Sequence, residues 1–280
     1  MRQEAGIGPD GELYIYYLKG RLKPEKGMFQ QNYIGTWEEE GDSILFFSRE
    51  ADRQIERVLL RHPQLRCIDS YHMTYHQWLG EAFSTFEHGK FRITPPWESP
   101  SASAGASSDK LPIVLDPGLV FGTGTHPTTR DCLAALELAA RSLHFSTVLD
   151  LGTGTGLLAL AAARLGSRFA VGVDLNLLAA RTARHNVKLN QLEDHVVIVQ
   201  GRAEDMIACK ADLVIANIHY DVMRHLINSR GFLAKRNFIL SGLMRSEAKD
   251  IVDRLARLPV TILKQWSQNG IWHTYYGKME

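Results

Sequence analysis

Residues Val148 to Gly156 read V-L-D-L-G-T-G-T-G, and this stretch narrows the possible fold more than any other in the chain. A short apolar run ends in Asp150, glycines follow at positions 152, 154 and 156, and a helix-like run extends from Leu157 to Leu165. Glycine has no Cβ, so such a backbone can turn sharply and let a ligand come within contact distance. Between a strand and a helix, the same loop presents free amide N–H groups at a helix start. The pattern predicts a strand–loop–helix unit that holds a nucleotide-like ligand.

Spacing then separates the ligand classes. A dinucleotide fingerprint requires G-x-G-x-x-G, with the third glycine allowing close helix–strand packing. Counted from Gly152, that third position is Leu157, so a nicotinamide reading fits badly. The alternating G-x-G-x-G after an acid instead resembles the loop of S-adenosylmethionine enzymes. A second apolar run, Phe169 to Val173, ends in Asp174, 22 positions beyond Gly152. An acid at the end of a second strand is where a ribose diol can be gripped by two hydrogen bonds.

From Leu111 onward, strand-like and helix-like runs alternate, the mark of a parallel α/β sheet. Strands are expected at Thr147–Asp150, Phe169–Asp174, His195–Gln200, Leu213–Asn217 and Phe238–Ser241. Helices are expected at Thr128–Arg141, Gly156–Leu165, Leu177–Asn190, Val222–Asn228 and Arg245–Leu258. Two closing runs, Val260–Trp266 and Ile271–Tyr276, flank turn residues Ser267–Gly270 and predict an antiparallel hairpin. Ahead of this half, Glu98–Lys110 is small and polar, cannot bury much apolar surface, and predicts a flexible connection. The front segment mixes strand-like runs (Leu13–Leu18, Tyr33–Glu39, Ser43–Ser48, Phe91–Thr94) with helices over Ile55–Leu59, closed by Pro63, and Met73–Phe86. It reads as a small α+β module. The expected division is thus 1–98, a linker at 99–110, and 111–280.

Bulk composition excludes several classes. A net charge of +1 gives no general attraction to nucleic acid or acidic membranes. Cys67, Cys132 and Cys209 lack C-x-x-C spacing, so neither a zinc site nor a disulfide framework is indicated, as suits a reducing cytosol. No apolar h-region marks a signal peptide, and no run approaches the roughly 18 apolar residues of a bilayer span.

The carboxyl ends of parallel strands are where ligands bind in open α/β sheets. That rule gathers Gly152–Gly156, Asp174, Glu204 and Asn217 at one edge. Glu204 suits an adenosine edge, or simply a solvated loop. Asn217, closing the strand in I-A-N-I-H-Y, suits a bridge between donor and acceptor nucleophile, or a turn-former. His219, Tyr220 and Asp221 are candidates for the acceptor wall, with His126 in the lid and no convincing general base. A second loop, D-P-G-L-V-F-G-T-G-T-H-P-T-T over Asp116–Thr129, is rich in glycine and hydroxyls. Thr128 or Thr129 can serve there as an N-cap and Pro127 as a helix opener. Neither role explains the long run of small residues before them, which suits a loop that closes over a ligand.

The runs G-L-V-F-G-T-G-T-H-P-T-T, V-L-D-L-G-T-G-T-G, V-G-V-D and I-A-N-I closely resemble the PrmA family, bacterial methyltransferases of protein eleven of the large ribosomal subunit. The likeness is strong over 111–280. Over 12–98 it is weaker, carried by Y-Y-L-K-G, W-E-E-E-G, the Trp78 segment and P-P-W at Pro95–Trp97. The resemblance implies a class I S-adenosylmethionine-dependent methyltransferase fold, α/β and doubly wound with a terminal antiparallel hairpin, behind a small substrate-recognition domain. It implies methylation, up to trimethylation, of lysine and N-terminal amines, with S-adenosyl-L-methionine as cofactor. Cofactor contacts carry over to Thr129, Gly152, Asp174 and Asn217, joined by Gly154, Phe121 and Thr123 from the two loops and by Glu204 after the third strand; Asn217 is also the expected catalytic residue. A cytoplasmic monomer with a ribosomal protein as partner, needing neither nucleic acid nor membrane, is the expectation. The chain departs from the family where a second tryptophan usually lies four residues after Trp78: Ala82 stands there, followed by Phe83. The segment after it is short and the Ser/Ala-rich linker long. Alternatives are methylation of another protein or a small molecule, a non-catalytic S-adenosylmethionine binder, and a nicotinamide oxidoreductase.

Overall fold

Short runs rich in aromatic and β-branched residues build front strands at Glu12–Lys19 and Asp42–Phe47, and continuous apolar runs build the main sheet. A computed structural model describes Gly8 and residues 10–25, 27–39, 41–80, 83–98, 109–142 and 145–280. The chain divides into two units, residues 1–83 and 84–280.

In the first unit, β1 (Glu12–Lys19), β2 (Tyr33–Glu39) and β3 (Asp42–Phe47) precede helix α1 (Asp52–Arg61), then β4 (Arg66–Thr74) and the single turn α2 (Tyr75–Trp78). The strands form an antiparallel sheet in the order β2-β3-β1-β4. The apolar stripe of α1, Ile55 and Val58, packs with Tyr16, Leu18, Leu45 and Phe47 into this unit's core. The helix expected over Met73–Phe86 is not formed as such. Residues up to Thr74 pair with β1, and helix is confined to one turn, closed by a capping box between Thr74 and Gln77; residues 81 and 82 lie outside the described residues.

In the second unit, β5 (Phe86–His88), β6 (Phe91–Thr94) and β7 (Leu111–Val114) make a three-stranded sheet. The structural division at 83/84 therefore precedes the compositional break at Glu98. The reason is pairing: β6 lies parallel to β7, which joins residues 86–94 to the later unit. Of the connection expected at 99–110, residues 99–108 lie outside the described residues.

The main sheet follows. Its elements are α3 (Pro127–Ser142), β8 (Thr147–Leu151), α4 (Leu157–Arg164), β9 (Phe169–Asp174), α5 (Leu177–Leu189), β10 (Val196–Gln200), α6 (Ala203–Met206), β11 (Leu213–Asn217), α7 (Tyr220–Leu226), α8 (Arg230–Leu233), β12 (Asn237–Met244), α9 (Arg245–Leu255), β13 (Val260–Gln268) and β14 (Trp272–Met279). Strand order is β10-β9-β8-β11-β12-β14-β13. The first five run parallel, and β14 pairs antiparallel with both β12 and β13. This is the doubly wound sheet with a terminal hairpin. Asn269 and Gly270 turn that hairpin with φ of 54° and 68°, the positive values a tight strand connection requires.

Helices on both faces explain why β11 buries Leu213 to Ala216 completely. One core joins Leu149, Val214, Phe238 and Leu240 to Met223, Phe232 and Ile251. In α4, every residue from Leu157 to Ala162 is buried, the signature of a helix enclosed on all sides. Among the described residues, no helix is long and apolar enough to cross a membrane.

Candidate active site

Strand order brings β9, β8 and β11 side by side, so the loops leaving their carboxyl ends meet. Gly152, Gly154 and Gly156 take φ of 72°, 55° and 84°, conformations in which an L side chain is strained. Close approach adds a second reason for glycine. A Cβ on Gly154 would lie 2.2 Å from the Phe121 carbonyl oxygen, and one on Gly152 would lie 2.2 Å from the Ile218 side chain.

Asp174 ends β9 beside this loop. Its Oδ2 accepts the Gly154 N–H at 3.0 Å and its Oδ1 accepts the Asn176 N–H at 2.9 Å. Burial raises its pKa, against the effect of those two bonds. Each carboxylate oxygen keeps a further lone pair, so a vicinal diol can still be accepted there.

Asp150, 1% exposed, accepts the Thr153 hydroxyl at 2.6 Å. Burial pushes its pKa up to about 7; the Thr153 bond opposes the rise and the nearby Asp174 carboxylate adds to it. An ordinary aspartate titrates near ~3.9. Between those values the folded chain holds a proton that the unfolded chain has released, so stability falls as pH rises through the window. The variant Asp150→Asn has no such group. Its stability relative to the wild type is expected to improve from pH 4 to pH 7, by at most about 1.4 kcal/mol per pH unit. Thermal melts across that range check this; parallel pH profiles would assign the proton elsewhere.

The second loop lies on the first. Thr155 donates its N–H to the Phe121 carbonyl at 3.0 Å and its hydroxyl to the Gly122 carbonyl at 2.6 Å. The Phe121 ring stays exposed, edge-on to His126 at 5.2 Å, and His126 in turn lies 5.1 Å from Trp272. Burial lowers the pKa of His126, favouring neutral imidazole. An open cavity of about 360 Å³ is lined by Phe121, Thr123, Thr125 and His126 among others, on the flank of this loop.

Asn217 closes β11 next to β8 and pairs in register with Ser241 of β12. Its Nδ2 donates to the Thr128 hydroxyl at 3.3 Å. A Cβ at Gly242 would lie 2.9 Å from Asn217 Oδ1, so glycine there leaves that oxygen room. Thr128 is itself fixed: its hydroxyl meets His126 Nδ1 at 2.8 Å and its carbonyl accepts the Ser241 hydroxyl at 3.3 Å. One N–H of the Asn217 amide is thus committed to Thr128, and Oδ1 has room to accept a hydrogen bond.

The sequence-derived candidates are thus placed as follows. Gly152, Gly154, Asp174, Phe121 and Asn217 form one linked set through the two loops and their strands. Thr123 is bonded hydroxyl to hydroxyl with Thr125 at 2.8 Å. Glu204 lies in the first turn of α6 and pairs with Arg202 at 2.8 Å. Thr129 is buried within the first turn of α3, its hydroxyl without a hydrogen-bond partner, whereas Thr128 reaches Asn217. Helix α3 starts at Pro127 as expected of an opener, so neither threonine is the N-cap. Of the proposed acceptor wall, His219 is exposed ahead of α7, Tyr220 donates to Asp250 at 2.7 Å, and Asp221 pairs with Arg224 at 3.2 Å. Sequence reasoning did not single out Asn186 of α5 or its C-cap Asn190, both buried and bonded to the main chain at Asp116 and Val114.

The chain is similar to known proteins. A family model described as ribosomal protein L11 methyltransferase (PrmA) matches residues 53–280. The ribosomal protein L11 methyltransferase of Clostridium botulinum (strain Eklund 17B / Type B) is 38% identical over 190 residues, 67% of this chain and 58% of that protein. Its namesake in Anoxybacillus flavithermus is 38% identical over 175 residues, 62% of this chain and 54% of that protein. The chain therefore spans little more than half the length of these relatives. Among solved structures, the ribosomal protein L11 methylase of Lactobacillus delbrueckii subsp. bulgaricus superposes with a TM-score of 0.62 at 27% identity, covering 71% of this chain and 100% of that one.

Proposed function

The chain belongs to the ribosomal protein L11 methyltransferase (PrmA) family, and from that premise we propose that it transfers methyl groups from S-adenosyl-L-methionine to lysine and N-terminal amines of large-subunit ribosomal protein L11. The observation that carries this reading is the joint placement of Asp174, at the end of β9 on the Gly154 N–H, and of Asn217, at the end of β11, on either side of β8 and its glycine loop. The glycine cradle, which a Cβ would fill, and a carboxylate at the end of β9 suit the donor's ribose and its approach to the backbone. We assign Gly152, Gly154, Asp174 and Asn217 to the donor, with Phe121, Thr123, Thr129 and Glu204 in supporting contacts. The first unit, with its own sheet and core, is assigned to recognition of the protein substrate. A cytoplasmic monomer is part of the same proposal.

When bound, S-adenosylmethionine supplies an electrophilic methyl group on a sulfonium sulfur. Everything else is the work of the chain. Asp174 holds the sugar, and the glycine loop admits the donor at backbone distance. Holding two reactants in near-attack geometry contributes roughly 7–11 kcal/mol. A free lysine has a pKa of about 10.4, so the acceptor must arrive neutral, and a dry pocket favours that form. Asn217 Oδ1 accepts from the acceptor amine and orients its lone pair, with Thr128 fixing the amide.

Two measurements test the proposal. Incubation with methyl-labelled donor and purified ribosomal proteins, followed by mass mapping, is expected to place label on L11 amines; label confined to other proteins, or none, would overturn the substrate assignment. Asn217→Ala is expected to lower turnover by more than tenfold with donor binding still measurable. Unchanged turnover would remove Asn217 from the mechanism.

A further inference from the structure

Two asparagines lie four residues apart at the end of helix α5, Asn186 in its last turn and Asn190 at its C-cap, 0% and 6% exposed. Each pairs its side-chain amide with both the N–H and the carbonyl of one residue in the segment running from β7 to the second loop. Asn190 Oδ1 accepts the Val114 N–H at 3.0 Å and its Nδ2 donates to the Val114 carbonyl at 2.6 Å. Asn186 Oδ1 accepts the Asp116 N–H at 2.8 Å and its Nδ2 donates to the Asp116 carbonyl at 2.9 Å. The other edge of the segment pairs with β6 and its flanks, with Leu111 donating to Lys90 and Leu115 to Thr94. Residues 112, 114 and 116 therefore face α5, and position 112 is proline, which has no N–H to satisfy. Two side chains on a helix here do the pairing of a neighbouring strand.

The inner asparagine does more than satisfy an edge. Asn186 Nδ2 also donates to the Thr155 carbonyl at 2.8 Å, inside the glycine loop. Thr155 is the residue that receives Phe121 and Gly122 of the second loop. One buried amide thus ties the root of the second loop to the residue on which its tip rests. Asn190 Nδ2 donates to the Asn186 carbonyl at 2.8 Å, and Arg164 Nη2 donates to the Asn190 carbonyl at 3.2 Å. Gly118, at φ +54°, lies where an added Cβ would be 2.7 Å from the Thr182 side chain, so α5 also fixes the segment beyond Asp116.

We infer that Asn186 and Asn190 are positioning residues for the methyl-donor site: they set the second loop on the glycine loop and so determine donor affinity without touching the donor. This rests on the donor site proposed above. By linkage, a clamp that favours the bound form is tightened by the bound ligand.

The test uses the full chain and S-adenosylhomocysteine as probe, read by calorimetry and by amide hydrogen exchange. Asn186→Asp keeps the size of the side chain but turns its donor toward the Asp116 and Thr155 carbonyls into an acceptor. It is expected to weaken probe binding at least tenfold, and to raise KM for the donor while kcat at saturation stays within threefold of the wild type. Asn190→Asp, one rung further out, is expected to weaken it about threefold. In the wild type, the Val114 and Asp116 amides are expected to exchange more slowly with probe present, a readout independent of whether either variant folds. Folded variants that bind within twofold of the wild type, or wild-type exchange at these amides indifferent to the probe, would overturn the inference. A wild-type chain that takes up no probe would instead overturn the proposed donor site.

Discussion

Replacing Gly154 by alanine is expected to abolish donor binding, with affinity lowered at least a hundredfold and methyl transfer reduced to the limit of detection. Two costs combine at this position. The backbone sits at φ +55°, which costs an L residue roughly 1–2 kcal/mol. The new Cβ would also lie 2.2 Å from the Phe121 carbonyl oxygen, a backbone atom that cannot swing aside as a side chain can. Relief requires the second loop to lift, which breaks the Thr155-to-Phe121 hydrogen bond at 3.0 Å and disturbs the Gly154 N–H that Asp174 accepts. Each such bond contributes about 1 kcal/mol. Gly166→Ala is the matched control: its φ is +100°, yet nothing lies within 4 Å of the added Cβ. That variant is expected to lose stability alone, with donor affinity within twofold of the wild type. Calorimetry and thermal melts on the two variants separate strain from site damage. Equal affinity for Gly154→Ala and the wild type would mean that this loop does not approach the donor.

Much of the second unit was legible because parallel strands enclosed on both faces must be apolar without interruption. Leu213–Asn217 and Phe169–Asp174 have the bounds in the structure that their residue patterns indicate. The glycines, Asp174 and Asn217 were legible for a related reason: each stands where such a run stops, and strand ends of a parallel sheet converge. β4 was not legible. It is an edge strand whose residues Arg66 to His72 are all exposed, so no buried face imprints a period of two on its sequence. β5 is three residues long, in a tight hairpin with β6, and β7 contains a proline and pairs with β6 across residues 95–110. The asparagine pair was hidden differently. Polar residues in the last turns of a helix read as solvent-facing, and only the fold reveals that Asn186 and Asn190 face a strand edge.

Asp174→Ala is expected to raise the dissociation constant for the donor by a hundredfold or more while leaving the fold intact. In the proposed site the carboxylate accepts from both hydroxyls of a ribose diol. Hydrogen bonds to an ionised acceptor contribute about 1.5–3 kcal/mol each, and two hydroxyls are served at once. Asn at this position keeps one acceptor oxygen and no charge, so Asp174→Asn is expected to fall between alanine and the wild type. Acidity supplies an independent check on the same group. Burial holds the Asp174 pKa above the ordinary carboxylate value, and protonation turns an acceptor of two hydroxyls into a competing donor. Wild-type donor affinity is therefore expected to fall as pH is lowered, beginning at a higher pH than an exposed aspartate would dictate, whereas Asp174→Asn lacks that component. The neighbouring Asp150 also titrates, at about 7, but it is 1% exposed and accepts from Thr153, so Asp150→Asn serves to subtract its part. Titration calorimetry on the three chains between pH 4 and pH 8 isolates the carboxylate at the end of β9. A pH profile in Asp174→Asn identical to that of the wild type would show that this group does not hold the sugar.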